Sequence, residues 1–304
     1  MGSILAEVVS KIATSNPIHA KKLSKTLQKS DLVFVNRATA FFKKYTDYLH
    51  SQGKDLDYAI ECYLKMVADM THAQVRFIES GEYANKAFSE VNQRIYSNPE
   101  IMEYYMNGLI LSQFLWAHHY TMFSFFVELL PRYKHKITRY LEIGGGHGLF
   151  ISEAINILNK NVQFDLVDIS PASIEMAKSF VGNKRVNFIL SDIFEYETES
   201  KYDFITMGEV LEHVERPDRL LSKLKSLLND DGHVYVTVPA NAPAIDHIYL
   251  FKDTKDIEET IEKTGFEIIE DKAVYAEDVS QAEAERLKIT LMYGALLRTN
   301  SRAL

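Results

Sequence analysis

The chain has 304 residues, of which 46 % are hydrophobic and 25 % charged, the balance of a globular protein with a sizeable core and the length of about two domains. A net charge of −8 argues against a broad phosphate-binding surface and so against a nucleic-acid partner. The single cysteine, Cys62, excludes an intramolecular disulfide and is typical of a reducing compartment. We find no secretory signal and no apolar run of the roughly 18 residues that span a bilayer, so the sequence predicts a cytoplasmic protein without a membrane partner.

The first 135 residues have the apolar spacing of helices. Between Asp31 and Leu49, apolar residues recur every three or four positions, and a second helical stretch is predicted to end at Gly81. The segment over residues 97–131 is apolar on almost every side, which predicts that it is buried between other elements. We therefore expect an all-α domain over residues 1–135, acting as a lid, with helices that are candidates for a homodimer interface.

Positive charge is concentrated at the start of the chain. Residues 1–50 carry eight lysines and arginines against three acids, so this stretch is +5 and the remainder −13. One interpretation is a solvated helix face. The other is a surface for an acidic partner, such as the leader of a ribosomally made peptide, in which Lys21, Lys22, Lys25 and Lys29 would carry the affinity.

From residue 136 onward, short apolar runs alternate with helical stretches. Such alternation predicts right-handed crossovers and a doubly wound, largely parallel sheet. The last two runs are joined only by residues 279–286, which predicts an antiparallel hairpin at one edge of the sheet. The expected fold class is therefore α/β, with seven strands and a C-terminal hairpin over residues 136–304. Helices are predicted over residues 148–158, 171–181, 217–229 and 254–264.

Four glycines follow the first predicted strand directly, where ligands bind in an open α/β sheet. A merely tight turn would need only one or two of them. The spacing does not fit a dinucleotide fingerprint, because Leu149 stands where the sixth-place glycine should be. Glu142 precedes the glycines instead. They are Gly144, Gly145, Gly146 and Gly148.

The motif EIGGGHG over residues 142–148 resembles the first motif of class I S-adenosylmethionine-dependent methyltransferases. The resemblance extends over residues 136–304 and is similar to small-molecule and natural-product members that carry a helical lid. It implies a Rossmann-like fold, S-adenosyl-L-methionine as the methyl donor and S-adenosyl-L-homocysteine as the product. In this family the glycine loop passes under the methionine and ribose moieties, and the leading acid helps to hold the ligand's amino group.

The positions after the later strands agree with this resemblance. It implies that Asp168 accepts the ribose hydroxyls, that Asp192 binds the adenine amino group, and that the backbone at Ile193 reads the ring nitrogen. The segment MGEVLEHVERP resembles the post-strand segment of ubiquinone-biosynthesis methyltransferases, where residues 209–213 border donor and substrate. Each acid alone could equally be a helix cap or a solvated loop residue. The predicted cofactor contacts are Glu142, Gly144, Gly145, Gly146, Gly148, Asp168, Ile169, Asp192, Ile193, Gly208 and Glu209.

Methyl transfer is mostly a matter of alignment, and a base is needed only where the acceptor carries a proton. His213 and His247 follow the fourth and fifth predicted strands and are candidate bases. His119 or Tyr120 is expected near the substrate, on the helix that leads into the first strand. Purely structural roles are the alternatives to these catalytic ones. His213 would then be a hydrogen-bonded turn residue, and the aromatic helix would simply pack in the core. The adjacent pair of histidines at 118–119 has poor metal geometry, so we expect no metal.

These features predict O-methylation of a small natural product or of a modified-peptide carboxylate, with nitrogen or carbon as the alternative acceptor. The expected partner is a small molecule or a short peptide. Two other functions stay open at this point: a catalytically silent scaffold that binds the donor, and a nicotinamide-dependent oxidoreductase. The missing sixth-place glycine speaks against the last of these.

Overall fold

The computed structural model describes residues 3–28 and 31–300. Lys29, one of the four lysines of the predicted acidic-partner surface, lies outside the described residues. Helices precede the first strand, as the apolar spacing of this part of the chain predicted. Within the described residues they are α1 (Ser3–Ser15), α2 (Pro17–Leu27), α3 (Leu32–Ser51), α4 (Leu56–Ser80), α5 (Phe88–Val91), α6 (Pro99–Leu115) and α7 (Ala117–Leu129).

Side-chain caps determine where several of these helices begin and end. The Asp31 carboxylate accepts a hydrogen bond from the Phe34 N–H at 2.7 Å, and Asp55 accepts one from Tyr58 at 2.9 Å, which satisfies main-chain donors that a helix start leaves free. Gly81 ends α4 in the left-handed conformation, with φ at +73°. The predicted end of this helix is therefore the observed one.

The apolar segment over residues 97–131 is divided into two helices at Trp116. This residue has extended backbone, with φ −106° and ψ 125°, and its indole N–H donates to the Tyr63 hydroxyl on α4 at 2.7 Å. The sequence alone did not indicate the break, because Trp116 is held in this conformation by a residue 53 positions away. The two helices are buried, as the sequence predicted.

Seven strands form one sheet in the order β3-β2-β1-β4-β5-β7-β6. The first five strands run parallel to one another, whereas β7 is antiparallel to both β5 and β6. The predicted seven-stranded doubly wound sheet with a C-terminal hairpin is confirmed. The strands are β1 (Arg139–Ile143), β2 (Gln163–Asp168), β3 (Val186–Leu190), β4 (Tyr202–Gly208), β5 (Leu228–Ala240), β6 (Phe266–Tyr275) and β7 (Leu291–Thr299).

The helices between the strands lie within two residues of their predicted bounds. The link between β6 and β7 differs, because it contains a short helix where only a connecting loop was expected. Its start is capped by Ser280, whose hydroxyl accepts from the Glu283 N–H at 3.3 Å, and Lys288 ends it with φ at +51°. These helices are α8 (Leu149–Ile157), α9 (Pro171–Val181), α10 (Pro217–Leu227), α11 (Thr254–Lys263) and α12 (Gln281–Leu287).

One face of the sheet packs against α7, which precedes it, and against α8. Tyr235 of β5 packs with Phe126 and Phe150, with ring centroids 5.4 and 6.4 Å away, and its hydroxyl donates to the Met122 carbonyl at 2.6 Å. The early helices and this face therefore share one continuous hydrophobic core. A second core lies on the other face, under α10 and α11. The domain boundary at residue 135 remains a prediction.

Parallel strands of matched register bring several loops to one edge of the sheet. Ile143 pairs with Val167 of β2 and with Met207 of β4, so all three strands end at the same level. The loops that follow them therefore meet beneath α6 and α7. In the ranges 3–28 and 31–300, none of the helices combines the length and the apolar character needed to cross a bilayer.

Candidate functional site

A cavity of about 1000 Å³ lies at the carboxyl edge of the sheet. Its floor is formed by the loops after β1, β2, β3, β4 and β5, and its other walls come from α2, α4, α6, α7 and the β6–β7 link. We call it the central cavity. Among the predicted site residues it is lined by Glu142, Gly144, Gly145, Gly146, Asp168, Ile169, Asp192, Ile193, Gly208, Glu209, His119, His213 and His247.

The glycine loop presents main chain to the central cavity. Gly144 and Gly146 have φ values of +63° and +48°. A residue with a side chain would be strained in this left-handed conformation. A Cβ on Gly144 would lie 2.5 Å from a Val210 methyl group, and one on Gly146 would lie 3.2 Å from the Met106 sulfur of α6. Glycine is therefore required here both by the backbone conformation and by the space.

Gly148, a predicted cofactor contact, packs between helices and lies apart from the other glycines of the loop. It does not line the central cavity, and a Cβ there would lie 2.9 Å from a Val181 methyl group and 3.2 Å from Ala177. With φ at +72° it begins α8 close against α9. Its absent side chain makes room for helix packing, so the structure does not bring it to the ligand space.

Glu142, the last residue but one of β1, is a buried acid beside the glycines. Its side chain is 4 % exposed, and Oε2 has no hydrogen-bond partner among the described residues. Burial raises its pKa well above the usual range, with a smaller contribution from Asp168. An unpartnered carboxylate oxygen is costly to bury. The amino group of a bound ligand is a donor that would satisfy it.

Asp168 is held rigidly at the end of β2. Its Oδ2 accepts from the Gly146 N–H at 2.9 Å, and its Oδ1 accepts from the Ser170 N–H at 2.8 Å. Burial raises its pKa, and these main-chain bonds oppose that rise. Each carboxylate oxygen can accept a further hydrogen bond, so Asp168 still has acceptors for ligand hydroxyls. Asp192 is half-buried after β3 and accepts from the Phe194 N–H at 2.8 Å.

Glu209 stands at the end of β4 in a strained conformation. Its φ is +53°, which is uncommon for a residue with a side chain and is often found at functional sites. Burial and the charge of Asp246 raise its pKa to about 7. Its Oε2 lies 3.8 Å from His119 Nε2, and burial lowers the pKa of His119 well below its usual value. Near neutral pH the proton therefore lies on Glu209 part of the time, while His119 stays neutral.

His119 is one of two adjacent histidines that line the central cavity. Its Nδ1 lies 2.8 Å from the Ser112 hydroxyl and 3.3 Å from the Gln113 amide nitrogen. Both His118 and His119 are buried in the protein and line this space. Burial lowers the pKa of His118 to about 3, so both rings are neutral at physiological pH.

Tyr120 is not brought to the central cavity. Its ring meets Phe34 edge-on with centroids 4.6 Å apart, and Arg37 donates to its hydroxyl at 3.3 Å. The next residue after His119 points about 100° away around the helix, which turns it towards α3. Of the two alternatives that the sequence left open on this helix, only His119 reaches the site.

The side chains of Glu212, His213 and His247 lie close together where the turn after β4 meets the loop after β5. Glu212 is completely buried, and Nε2 of His213 and Nε2 of His247 lie 3.7 and 4.0 Å from its Oε1. Burial raises the pKa of Glu212 well above its usual range, helped by Glu209. Burial and the neighbouring His213 lower the pKa of His247 to about 4. The sequence had identified the two histidines as candidate bases but had passed over Glu212.

The helices hold this group through hydrogen bonds that the sequence did not reveal. The Tyr96 hydroxyl lies 2.9 Å from His213 Nδ1, and it donates to Asp246 Oδ2 at 3.3 Å. Tyr105 donates to Asp246 Oδ1 at 3.2 Å, and Asn85 donates to the His247 carbonyl at 3.0 Å. Tyr96 and Asn85 come from short, irregular stretches with no periodic signal. The one sequence signal that could have identified Glu212 is its position directly before the candidate base His213.

Comparisons with known proteins agree with this geometry. Residues 115–271, just over half of the chain, match a family described as a methyltransferase domain. The chain is 36 % identical over 109 residues to malonyl-[acyl-carrier protein] O-methyltransferase 1 of Ilyobacter polytropus, a match that covers 36 % of this chain and 40 % of that protein. It is 32 % identical over 102 residues to the mitochondrial ubiquinone biosynthesis O-methyltransferase of Schizosaccharomyces pombe, covering 32 % of this chain and 36 % of that one.

The chain thus spans less than half of the length of each of these two relatives. The solved structure of the mitomycin 7-O-methyltransferase MmcR superposes with a TM-score of 0.51 at 12 % identity, over 80 % of this chain and 70 % of that one. At that identity the likeness concerns the fold alone. The chain belongs to the methyltransferase domain family, and its fold is that of the class I S-adenosylmethionine-dependent methyltransferases.

Proposed function

We propose that this protein transfers the methyl group of S-adenosyl-L-methionine to an oxygen atom, with a carboxylate of a small natural product or of a modified acyl or peptide chain as the favoured acceptor. The observation that carries this proposal is the continuity of the central cavity. It joins the glycine loop and the strand-end acids to the side chains of α6, α7 and the β5 loop. At about 1000 Å³ it lies at the upper end of the range for ligand pockets, which leaves room for an acceptor beside the donor.

The donor end fits the ligand that the family implies. Gly144 and Gly146 form a cradle that a Cβ would fill, and the free Oε2 of Glu142 offers an acceptor to an amino group. Asp168 and Asp192 would bind the ribose and the adenine. When bound, the donor supplies a methyl group on a positively charged sulfur, already activated for in-line displacement. The chain's own task is then to align the acceptor and to exclude water.

The acceptor end is an apolar space with a few polar groups. Met106, Leu109 and Trp116 supply apolar surface from the α6–α7 segment, and Met292 of β7 adds to it. His119 contributes a polar group, with its Nε2 3.8 Å from Glu209 Oε2. An apolar wall of this kind suits an acyl chain or a ring system, and it would keep water away from the reacting oxygen.

The proton requirement depends on the acceptor. A carboxylate is ionised at neutral pH and needs positioning only. A hydroxyl or amine acceptor needs a base, and the Glu209 carboxylate, which lines the central cavity with a pKa of about 7, is placed to take that proton. The relatives named above are O-methyltransferases, which favours oxygen over the alternative nitrogen and carbon acceptors.

If the acceptor is attached to a peptide or a carrier protein, we propose that this partner docks at the mouth of the central cavity. Lys22 lies at this mouth and pairs with Glu277 in the β6–β7 link, while Lys21 and Lys25 are exposed on α2. If an acidic partner docks here, reversing the charges of Lys21 and Lys25 should weaken its binding. Unchanged affinity for the acidic peptide would restrict the acceptor to a small molecule.

The test is transfer of labelled methyl groups to a cell extract and to candidate acids. A carboxylate product is a methyl ester, so mild alkali should release the label as volatile methanol, whereas methyl ethers, N-methyl and C-methyl products would retain it. The variant Asp168→Ala is the matched control and should transfer little. Binding of S-adenosyl-L-homocysteine without any transfer would favour the non-catalytic scaffold instead, and binding of NADH in its place would favour the oxidoreductase.

A further inference from the structure

Glu212, His213 and His247 form a compact set of metal-ligand side chains, which we call the EHH group. Each offers one ligand atom, and these three atoms all lie within 4.8 Å of one another. Glu212 and His213 are neighbours in the turn after β4, while His247 comes from the loop after β5. The group therefore depends on two loops that follow adjacent strands, and it lies at the edge of the sheet where the central cavity opens.

Glu212 is an unusual residue in a protein interior. It is 0 % exposed, and neither carboxylate oxygen has a hydrogen-bond partner within residues 3–28 and 31–300. Buried carboxylates normally have donors or a cation beside them. Its main-chain carbonyl, by contrast, accepts from the N–H groups of Ile248 and Tyr249 at 2.8 and 2.9 Å. The backbone is thus firmly held while the side chain, directed at two imidazoles, lacks a partner.

The histidines are oriented as metal ligands usually are. His213 uses Nδ1 for its contacts with the Tyr96 hydroxyl and the Asp246 carbonyl, at 2.9 and 3.2 Å, which leaves Nε2 facing Glu212. A histidine whose second nitrogen is held in this way is typical of metal sites. His247 turns its Nε2 towards the same carboxylate oxygen, 4.0 Å away.

We propose that the EHH group binds one divalent transition-metal ion. Two imidazole nitrogens and one carboxylate oxygen are a ligand set of catalytic zinc sites and of open iron sites. The separations of 3.7 and 4.0 Å exceed the roughly 3.0–3.4 Å between neighbouring ligands of such an ion. Small side-chain rotations would bring the ligand atoms together. This proposal replaces the expectation of no metal, which considered only the pair at 118–119.

The open positions of the ion would face the central cavity, because His213 and His247 both line it. Resting on the proposed function, we infer that these positions hold an anionic oxygen of the acceptor. Asp246 lies on the other side of the His213 ring from the ion, with Oδ2 3.6 Å from Nδ1, and its two carboxylate oxygens accept hydrogen bonds from Tyr96 and Tyr105. Its part is to position His213.

The full chain is first freed of metal with a chelator and then titrated with Co²⁺. Zn²⁺ is added afterwards as a competitor. Binding of one equivalent should give visible cobalt absorption of a nitrogen–oxygen site, and Zn²⁺ should displace it. Glu212→Gln and His247→Ala should each weaken the affinity by about 100-fold or more, as loss of a ligand costs more than the 10–100-fold of an outer partner. Tyr96→Phe should weaken it by about 10-fold.

The control variant is His233→Ala. His233 is also half-buried, but it lies at the opposite end of β5 beside Tyr133, so its loss should leave cobalt binding unchanged. Glu212→Gln removes an unpartnered acid and should remain folded, which near-ultraviolet circular dichroism checks. The absence of a one-to-one cobalt complex, or equal affinity in the wild type and Glu212→Gln, would overturn the proposal.

Binding of S-adenosyl-L-homocysteine, measured in the same metal-free preparation, separates this proposal from the proposed function. Nucleoside binding without a cobalt complex defeats the metal site alone. A cobalt complex without nucleoside binding supports the metal site and defeats the methyltransferase proposal.

Discussion

The main-chain N–H of Gly146 donates a hydrogen bond to Asp168 Oδ2 at 2.9 Å. This bond ties the loop after β1 to the end of β2, and the Ser170 N–H holds the other carboxylate oxygen. Asp168 therefore has two tasks at once. It fixes the shape of the glycine loop, and it presents its remaining lone pairs to the central cavity.

We expect Asp168→Ala to weaken the binding of S-adenosyl-L-homocysteine by about 1–3 kcal/mol, because the variant removes one partner of a buried polar interaction. Isothermal titration calorimetry measures the affinity. Asp47→Ala, which alters an exposed acid on α3, is the control and should bind as the wild type does. Equal affinities in both variants would mean that the nucleoside binds elsewhere.

Gly146 should tolerate no side chain if its main chain supports the donor. We expect Gly146→Val to abolish nucleoside binding in the same calorimetric assay, since the side chain would enter the space between the loop and Met106. Gly182→Val is the matched control. Gly182 has a similar φ of +59°, but it does not line the central cavity. Both variants lose stability through strain of about 1–3 kcal/mol, and only the first should lose binding.

The part of the site that could be predicted is the part that local sequence determines. Strand periodicity located the ends of β1, β2 and β4, and in a parallel sheet those ends must lie together. Gly144, Asp168 and Glu209 follow directly from that rule. Their meeting around one cavity needed only the register of the strands.

The part that could not be predicted depends on contacts between distant residues. The break at Trp116 is held by Tyr63, and it decides that His119 rather than Tyr120 faces the central cavity. The isolation of the Glu212 carboxylate depends on a loop some 35 residues further on, where His247 lies. Periodicity within a single element carries no information on such pairings.

The close crossing of α4 and α6 gives a prediction about stability. A Cβ on Gly108 would lie 2.9 Å from the Met66 Cβ and 2.8 Å from its sulfur. Gly108→Ala gains about 1 kcal/mol of helix propensity, yet overpacking of this kind costs about 1–3 kcal/mol. We expect a net loss of stability in urea unfolding.

A double-mutant cycle tests the cause. Met66→Ala removes the sulfur and leaves the Cβ, so combining it with Gly108→Ala should cost less than the sum of the single changes. Strict additivity would show that the two helices do not approach each other this closely.

Glu209 gives a prediction about pH. Its pKa of about 7 in the folded chain, raised by burial and by Asp246, compares with 4.5 for an unperturbed side chain. Between these two values the folded protein retains a proton that the unfolded chain has released, so stability falls as the pH rises through this window. With 30 % of the side chain exposed, the loss should be about 1–3 kcal/mol. The glutamine of Glu209→Gln does not titrate, so this variant should lack that pH-dependent loss of stability.

Urea unfolding at pH 5 and pH 8, in buffer that contains a chelator, measures this effect. The stability of the wild type relative to Glu209→Gln should be greater at pH 5 and should decline by about 1–3 kcal/mol at pH 8. Titrations of the buried histidines are common to both proteins and cancel in the difference. Glu79→Gln, an exposed change on α4, should show a difference that stays within about 0.5 kcal/mol at both pH values. If the Glu209→Gln difference is equally flat, Glu209 is ionised throughout this range, and burial does not raise its pKa towards 7 in the folded chain.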